Sequence, residues 1–205
     1  MIDKKTYTDL ANLNEEYRST FHNEAIVFGD GSIQSKVLLI GEAPGKDEVA
    51  QGKPFVGAAG KNLNEFISIL NITREDIYIT NVVKYRLSKL NAKTNRLSNR
   101  PATVMDISIN QPWLMREIEI IDPSIIVTLG NVPLRAITND KSLTIGNVHG
   151  KLLECKINGA AKKLYPLYHP ASIIYNRSLK DVYIQDVKDL SMHINTVKKQ
   201  DEVVV

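Results

Sequence analysis

The sequence contains a single cysteine, Cys155, among 205 residues. One thiol cannot form an internal disulfide, and it cannot supply the cysteine ligands of a zinc site or an iron-sulfur cluster. We therefore expect a chain without covalent cross-links or a cysteine-bound metal. A reducing compartment suits such a chain, and the cytoplasm is the expected location.

Long apolar runs are absent as well. No apolar stretch approaches the about 20 residues that a helix needs to cross a bilayer, and Met1 to Leu10 alternates charged and polar residues. Neither export nor membrane insertion is expected. Hydrophobic residues make up 43% of the chain and charged residues 24%, as in an ordinary globular protein. The length predicts one domain over residues 1–205.

Negative charge is missing from one long stretch. No Asp or Glu lies between Ile77 and Met105, where the basic residues are Lys84, Arg86, Lys89, Lys93, Arg96 and Arg100. Such a stretch suits a polyanionic partner, and a solvated basic loop accounts for it equally well. The overall net charge of +3 does not decide between the two.

Short β-branched runs alternate with helical patterns along the chain. The runs are Val37 to Ile40, Ile77 to Thr80, Ile125 to Leu129 and Leu164 to Tyr168, and the helical patterns are Thr6 to Thr20, Lys61 to Leu70, Thr103 to Ile121 and Lys180 to Val197. This order predicts an α/β fold, a three-layer αβα sandwich with a central four-stranded, mostly parallel sheet. The polar stretch Asn91 to Arg100 is predicted to be a loop.

Polar groups follow three of the predicted strands, namely Glu42, Asn81 and His169. Ligands of open α/β sheets bind beyond the carboxyl ends of the strands, so these groups are expected to meet at one crevice. Each has a purely structural interpretation, because Gly41 to Gly45 could be a tight turn, Asn81 a cap and His169 a packed turn residue. P-loop and dinucleotide fingerprints are absent.

An ordered set of motifs runs through most of the chain. It comprises Gly41-Glu42-Ala43-Pro44-Gly45, the segment Gly52 to Gly60, the segment Ile79 to Lys84, Leu129-Gly130, and Tyr168-His169-Pro170-Ala171. From roughly Val27 to Leu190 the chain thereby resembles the family 4 uracil-DNA glycosylases. The resemblance implies a monofunctional DNA-repair enzyme that flips uracil out of DNA and hydrolyses its N-glycosidic bond, leaving an abasic site.

The resemblance also implies a uracil pocket. Its residues would be Gly41, Ala43, Glu48, Phe55, Asn81 and His169. Phe55 would stack on the base, and the Asn81 amide would match the O4 acceptor and N3–H donor of uracil. Glu48 would stand against C5, and His169 would donate to O2 as negative charge develops there. Glu42 would either activate water or serve as a supporting hydrogen-bond acceptor.

The expected partner is DNA, single- or double-stranded, bound by a monomer. Phosphate contacts are expected from Lys84, Arg86, Lys89, Lys93 and Arg100. Ile173 and Ile174 could wedge into the space that the flipped nucleotide leaves, with Arg177 near a phosphate. The alternative for Ile173 and Ile174 is a buried helix start.

The chain departs from the family at the ligands of its [4Fe-4S] cluster. The four cysteine positions hold Asn14, Tyr17, Tyr85 and Ile109, which cannot replace thiolates. We expect apolar packing to fill that place, with no cofactor and no metal. The connection Leu87 to Asn99 also exceeds the usual family length, which indicates an insertion that embraces DNA.

Two alternatives to the glycosylase remain. One is a catalytically inactive relative of the same fold that binds DNA or another partner. The other is an α/β enzyme that acts on a free nucleotide and holds its phosphate at Gly41 to Gly45. The missing P-loop lysine and the lack of a metal-binding carboxylate cluster disfavour that enzyme.

Overall fold

The protein is built around a six-stranded sheet with helices on both faces. The structure, a computed structural model, describes residues 4–93 and 95–202, with the backbone alone for 58, 59, 174, 175 and 197–202. The strands are β1 (Asp30–Gly31), β2 (Val37–Gly41), β3 (Tyr78–Asn81), β4 (Ser88–Asn91), β5 (Arg96–Asn99), β6 (Ile125–Leu129), β7 (Leu153–Ile157) and β8 (Ala160–Leu167). The helices are α1 (Lys4–Thr20), α2 (Lys46–Gln51), α3 (Ala58–Ile69), α4 (Val104–Ile121), α5 (Asn131–Thr138), α6 (Ile145–Val148), α7 (Pro170–Tyr175) and α8 (Lys180–Glu202). Among the described residues, no helix is long and apolar enough to span a membrane.

The strand order in the large sheet is β1-β3-β2-β6-β8-β7. The four inner strands run parallel, with Leu39 opposite Ile79 on one side and Val127 on the other. These are the four strands that the sequence predicts, so the α/β class is confirmed. The sheet itself is larger than expected, because β1 and β7 add antiparallel edges. Strand β1 has only two residues, too few to give a hydrophobic pattern.

Strands β2, β3 and β6 are buried along their whole length and β8 over its second half, which makes the sheet the middle of three layers. In β2, Leu38 and Ile40 pack in the core that α1, α4 and α5 cover. Val37 and Leu39 face the opposite core, under α3 and α8. Because neither face of the buried segments meets water, their sequences are mainly apolar instead of alternating.

The predicted loop at Asn91 to Arg100 is instead part of a β-hairpin. Strands β4 and β5 pair antiparallel outside the main sheet, with Leu90 opposite Leu97. This prediction was wrong because the hairpin does not pack on the core, so its sequence is polar and rich in turn-forming residues. It projects from the segment that follows β3.

A buried ion pair fixes the end of β3. The ammonium of Lys84 lies 2.8 Å from Oε2 of Glu117 on α4, and both side chains are almost fully buried. Glu117 also accepts hydrogen bonds from the hydroxyls of Tyr78 and Thr80, each at 3.0 Å. Lys84 in turn donates to the backbone carbonyl of Asn81 at 3.2 Å. The carboxylate therefore holds the strand end and the residues that follow it.

Removing the charge of Glu117 should destabilise the fold strongly. Glu117→Gln leaves the Lys84 ammonium buried without a counter-charge, and we expect the free energy of unfolding to fall by about 3 to 5 kcal/mol in urea denaturation. The matched control is Glu16→Gln, which breaks the exposed ion pair between Glu16 on α1 and Arg116 on α4. This substitution should change the free energy of unfolding far less. Equal effects of the two substitutions would contradict a structural role for the buried pair.

Candidate active site

A cavity of about 410 Å³ opens at the carboxyl ends of β2, β3 and β8. Its lining residues are Ala43, Pro44, Gly45, Lys46, Asp47, Glu48, Phe55, Gly57, Asn81, Asn99, His169 and Ala171. Residues that lie far apart in the sequence, such as Phe55, Asn81 and His169, therefore face one space. It has the size and position of a small-ligand site in an open α/β sheet.

Phe55 forms the aromatic wall of this cavity. Its side chain is buried, and its ring lies 6.0 Å from the His169 ring with an angle of 29° between the planes. The backbone of Phe55 has a φ of 53°, which costs energy for a residue with a side chain. Arg74 stabilises this conformation by donating to the carbonyls of Pro54 and Phe55.

Gly41, at the end of β2, lets two side chains approach the strand. A Cβ at this position would overlap Oδ1 of Asn81 and Cζ of Phe55. Only glycine leaves room for the amide and the ring to meet above the backbone. The contribution of Gly41 to the cavity is therefore space, because it has no side chain.

Asn81 presents its side-chain amide to the cavity while its backbone is fixed. The strand end is paired with Gly41, and Val82 N donates to the Gly41 carbonyl at 2.9 Å. The residue is almost fully buried, and its side chain lines the cavity. A ligand with a matching donor and acceptor can therefore form hydrogen bonds with this amide.

His169 is held as a neutral imidazole in one tautomer. It caps α7, and Nδ1 accepts a hydrogen bond from Ala171 N at 3.1 Å. Burial lowers the pKa of His169 to about 4, because the charged form loses its hydration. With Nδ1 engaged as an acceptor, the proton resides on Nε2, and this nitrogen is a hydrogen-bond donor.

Glu48 and Glu42 both contact backbone amides. Glu48 accepts from Gly45 N at 3.1 Å, from Val56 N at 3.1 Å and from Gly57 N at 2.7 Å. It thereby joins the first turn of α2 to the loop that carries Phe55. Oε1 of Glu42 accepts from Ala102 N at 2.6 Å, just before α4.

Sequence reasoning missed several residues of the site. Asn99 at the end of β5 lines the cavity, and its Oδ1 accepts from Arg86 Nε at 2.8 Å. Lys46 and Asp47 line it from the start of α2, and Arg74 supports it from outside. Lys46 and Asp47 could have been noticed, because they directly follow the predicted motif. Asn99 depends on the hairpin, and Arg74 on a loop contact that no local pattern reveals.

The predicted phosphate-binding residues fall into two groups. Lys84 is a correction, because its side chain is buried against Glu117 and cannot reach a phosphate. Arg100 forms a bidentate salt bridge with Asp106, with N–O distances of 2.6 Å and 3.1 Å, so its charge is already compensated. Lys89 and Lys93 are exposed on the hairpin, as expected for residues available to DNA.

The residues after His169 lie partly in the core. Ile173 is half-buried against the sheet face that α3 and α8 cover, and Arg177 is exposed just beyond it. Both line a second cavity, between α3 and α8. The side chain of Ile174 lies outside the described part of the structure, so its predicted role as a wedge stays a prediction.

Aromatic packing surrounds Tyr17 and Tyr85, two of the four positions that the resemblance aligns with cluster ligands. The Tyr17 ring lies 4.4 Å from that of Phe21 and 5.5 Å from that of Trp113, and Tyr85 lies 5.3 Å from Phe21. The buried Asn110 accepts from the Tyr17 hydroxyl and donates to that of Tyr85. Ile109, one of the aligned positions, is instead exposed, so the neighbouring asparagine takes the interior place.

These residues do not fit an iron-sulfur cluster. Phenol and amide groups do not ligate such a cluster in place of thiolates, and the aromatic rings fill the space. The only cysteine, Cys155, is buried on β7, where burial raises the pKa of its thiol to about 11. Within the described residues, no group of three or more His, Cys, Asp and Glu side chains could hold a metal ion.

Comparison with known proteins agrees with this geometry. A family model, the uracil DNA glycosylase superfamily, matches residues 28–190. A Type-4 uracil-DNA glycosylase of Archaeoglobus fulgidus is 38% identical over 165 residues, which cover 79% of this chain and 78% of that protein. A second one, of Saccharolobus solfataricus, is 39% identical over 164 residues, 78% of this chain and 72% of that protein. A third, of Thermotoga maritima, is 34% identical and covers 80% of both chains. The chain therefore belongs to the uracil-DNA glycosylase superfamily.

Proposed function

We propose that this protein excises uracil from DNA by hydrolysis of the N-glycosidic bond. The observation that carries the proposal is the single cavity into which Phe55, Asn81 and His169 all face. A flipped uracil needs an aromatic surface, a donor and acceptor pair for its edge, and a donor for its leaving oxygen. Each of these three residues supplies one of them.

Binding the base requires compensation for its removal from the helix. Unstacking costs a few kcal/mol, and a stack on an aromatic ring contributes about 1 to 3 kcal/mol per base. Phe55 is already in place for that stack, because Arg74 holds its strained backbone before DNA arrives. The Asn81 amide offers NH₂ to O4 and its carbonyl to N3–H, a pattern that cytosine reverses. The base is thus gripped and identified by the same two side chains.

Bond cleavage depends on stabilising the departing anion. As the N-glycosidic bond breaks, the sugar develops oxocarbenium character and negative charge collects on O2 of uracil. The neutral His169 donates from Nε2 to that oxygen, and its ring does not need to reorient because Nδ1 is fixed by Ala171 N. A donor that is oriented beforehand stabilises developing charge more than mobile water does.

Glu42 supports the site through its backbone contact. Oε1 accepts from Ala102 N at 2.6 Å, which ties the carboxylate to the residues just before α4. The supporting interpretation accounts for this contact, and water activation would fall to Oε2. Catalysis then rests chiefly on the stabilised uracil anion, with water attacking the activated sugar.

The remaining features of the proposal concern partners and cofactors. We propose that the protein acts on single- or double-stranded DNA in the cytoplasm, as a monomer of one domain without an iron-sulfur cluster. Lys89, Lys93 and Arg86 are its candidate phosphate contacts. The aromatic residues packed around Tyr17 take the structural role of the family's iron-sulfur cluster.

The purified protein should release free uracil from DNA without any added metal. We expect an abasic site as the second product, equal rates with and without a chelator, and neither iron nor inorganic sulfide in the protein. Mass spectrometry of the released base and an iron analysis check this. Binding to uracil-containing DNA without release of base would favour the alternative of an inactive relative.

Substitution of the pocket residues should abolish catalysis and leave the fold intact. His169→Ala removes the donor to O2 and should lower the single-turnover rate by about 10² to 10³. Asn81→Ala should also lower it by orders of magnitude, because the edge of uracil is left unpaired. The controls are His22→Ala and Asn64→Ala, two exposed residues of the same types. Unchanged rates in the pocket variants would remove the proposed roles.

The rate should show no inflection near pH 6.5 that depends on His169. With a pKa of about 4, His169 stays neutral from pH 8 down to about pH 5.

The same low pKa makes folding stability depend on pH. Unfolding restores an ordinary imidazole of pKa about 6.5, which binds a proton that His169 does not bind in the folded state. Folding stability should therefore fall as the pH drops from about 6.5 to 4, by on the order of 3 kcal/mol. Urea denaturation of wild type and His169→Gln across this range measures it, and a variant with the same pH dependence as wild type would contradict it.

A further inference from the structure

The hairpin β4–β5 carries an exposed pair of leucines. Leu90 and Leu97 lie directly opposite each other in the ladder, and the exposed fractions of their side chains are 60% and 59%. Two large apolar side chains held together in water are unfavourable unless a partner covers them. Isolated exposed leucines need no explanation, but a cross-strand pair forms a continuous apolar surface.

This pair faces the same side of the hairpin as a residue of the active site. Side chains alternate along a strand, so Leu97 and Asn99 point to one face and Ser98 to the other. Asn99 lines the cavity. Two residues of strand span about 7 Å, twice the 3.4 Å spacing of stacked nucleotides. The leucine pair thus lies within one or two nucleotides of a base held in the cavity.

The charges around the pair favour a polyanion. Lys89, Lys93 and Arg96 are exposed on the same hairpin, and Arg86 at its base binds Asn99. No Asp or Glu occurs from residue 77 to residue 105. An apolar protein partner would not need this uncompensated positive charge. A nucleic acid strand offers both a phosphate backbone and apolar base faces.

We propose that the hairpin grips the DNA strand that carries the uracil, and that Leu90 and Leu97 pack against a nucleobase next to the cavity. When uracil leaves the stack, its neighbour loses a stacking surface. The leucine pair covers that exposed face, while Lys89, Lys93 and Arg96 bind the phosphates on either side. This proposal rests on the proposed function for the identity of the strand.

Replacing both leucines should weaken DNA binding without changing the chemistry. Leu90→Ser with Leu97→Ser should raise the dissociation constant for a uracil-containing oligonucleotide about tenfold, since one apolar contact is lost. Titrations are made in the His169→Ala background so that the base stays attached. In the active protein, the half-saturating DNA concentration should rise while the saturating single-turnover rate stays the same. Met192→Ser, which removes an equally exposed apolar side chain on α8, is the control and should have no effect.

Changes in the DNA identify the contact as one with a base. Oligonucleotides are made with an abasic nucleotide at one position next to the uracil at a time. At the contacted position, the loss of the base should weaken binding to the protein that retains both leucines about tenfold. The double serine variant should be insensitive to the same change. Lys89→Gln with Lys93→Gln should instead lower affinity at every position and flatten the salt dependence, which the serine variant should leave unchanged.

The proposal and the proposed function can fail separately. A protein that releases no uracil but shows the base-dependent leucine coupling retains the hairpin contact and loses the glycosylase assignment. An active glycosylase whose serine variant binds all these oligonucleotides like the parent overturns the hairpin contact. A serine variant with unaltered DNA affinity but a changed sedimentation coefficient would show that the pair joins protein chains, which also overturns it.

Discussion

The site depends on one buried carboxylate. Glu117 has no exposure to water, yet it binds the Tyr78 and Thr80 hydroxyls and the Lys84 ammonium at once. An unpaired carboxylate in that position would be prohibitively costly, so the groups around it have little freedom. Since Lys84 also binds the Asn81 carbonyl, this network fixes the backbone of Asn81, the residue proposed to recognise the base edge. The charge in the core is thus a means of positioning, and Lys84 serves the site from within instead of from the DNA surface.

The other two residues of the proposed pocket, Phe55 and His169, are also held in place without a ligand. Phe55 remains in a strained backbone conformation because Arg74 and Glu48 anchor the segments on either side of it. His169 is kept neutral by burial and is oriented by the amide of Ala171. These contacts lie outside the reacting groups. Because folding already fixes the geometry of these side chains, little of the free energy of DNA binding is needed to order them.

Much of this arrangement was predictable from the sequence, and the failures have physical causes. Parallel strands buried on both faces give apolar runs that are easy to recognise, and their carboxyl ends converge, so Asn81 and His169 could be placed together in advance. The prediction that Lys84 contacts phosphate was wrong because a charged residue after a strand is expected to be exposed. Its buried partner Glu117 is distant in the sequence, so the pair could not be foreseen. The hairpin was taken for a loop because strands that do not pack on the core lack the apolar alternation that reveals strands. Asn99 entered the cavity through that hairpin and was missed for the same reason.

The aromatic residues around Tyr17 lie at the same strand end. In the family the four cysteines would join the N-terminal helix, the segment after the Asn motif and the following helix. Here the Tyr17 hydroxyl accepts from Lys84 N at 3.2 Å and donates to Asn110, so it joins the same three segments. Phe21 and Trp113 pack around this link and exclude water, which strengthens its hydrogen bonds. A hydrogen-bonded aromatic cluster therefore connects these three segments, as our proposal of a protein without a metal cluster requires. It does so next to Lys84, the residue on which the position of Asn81 depends.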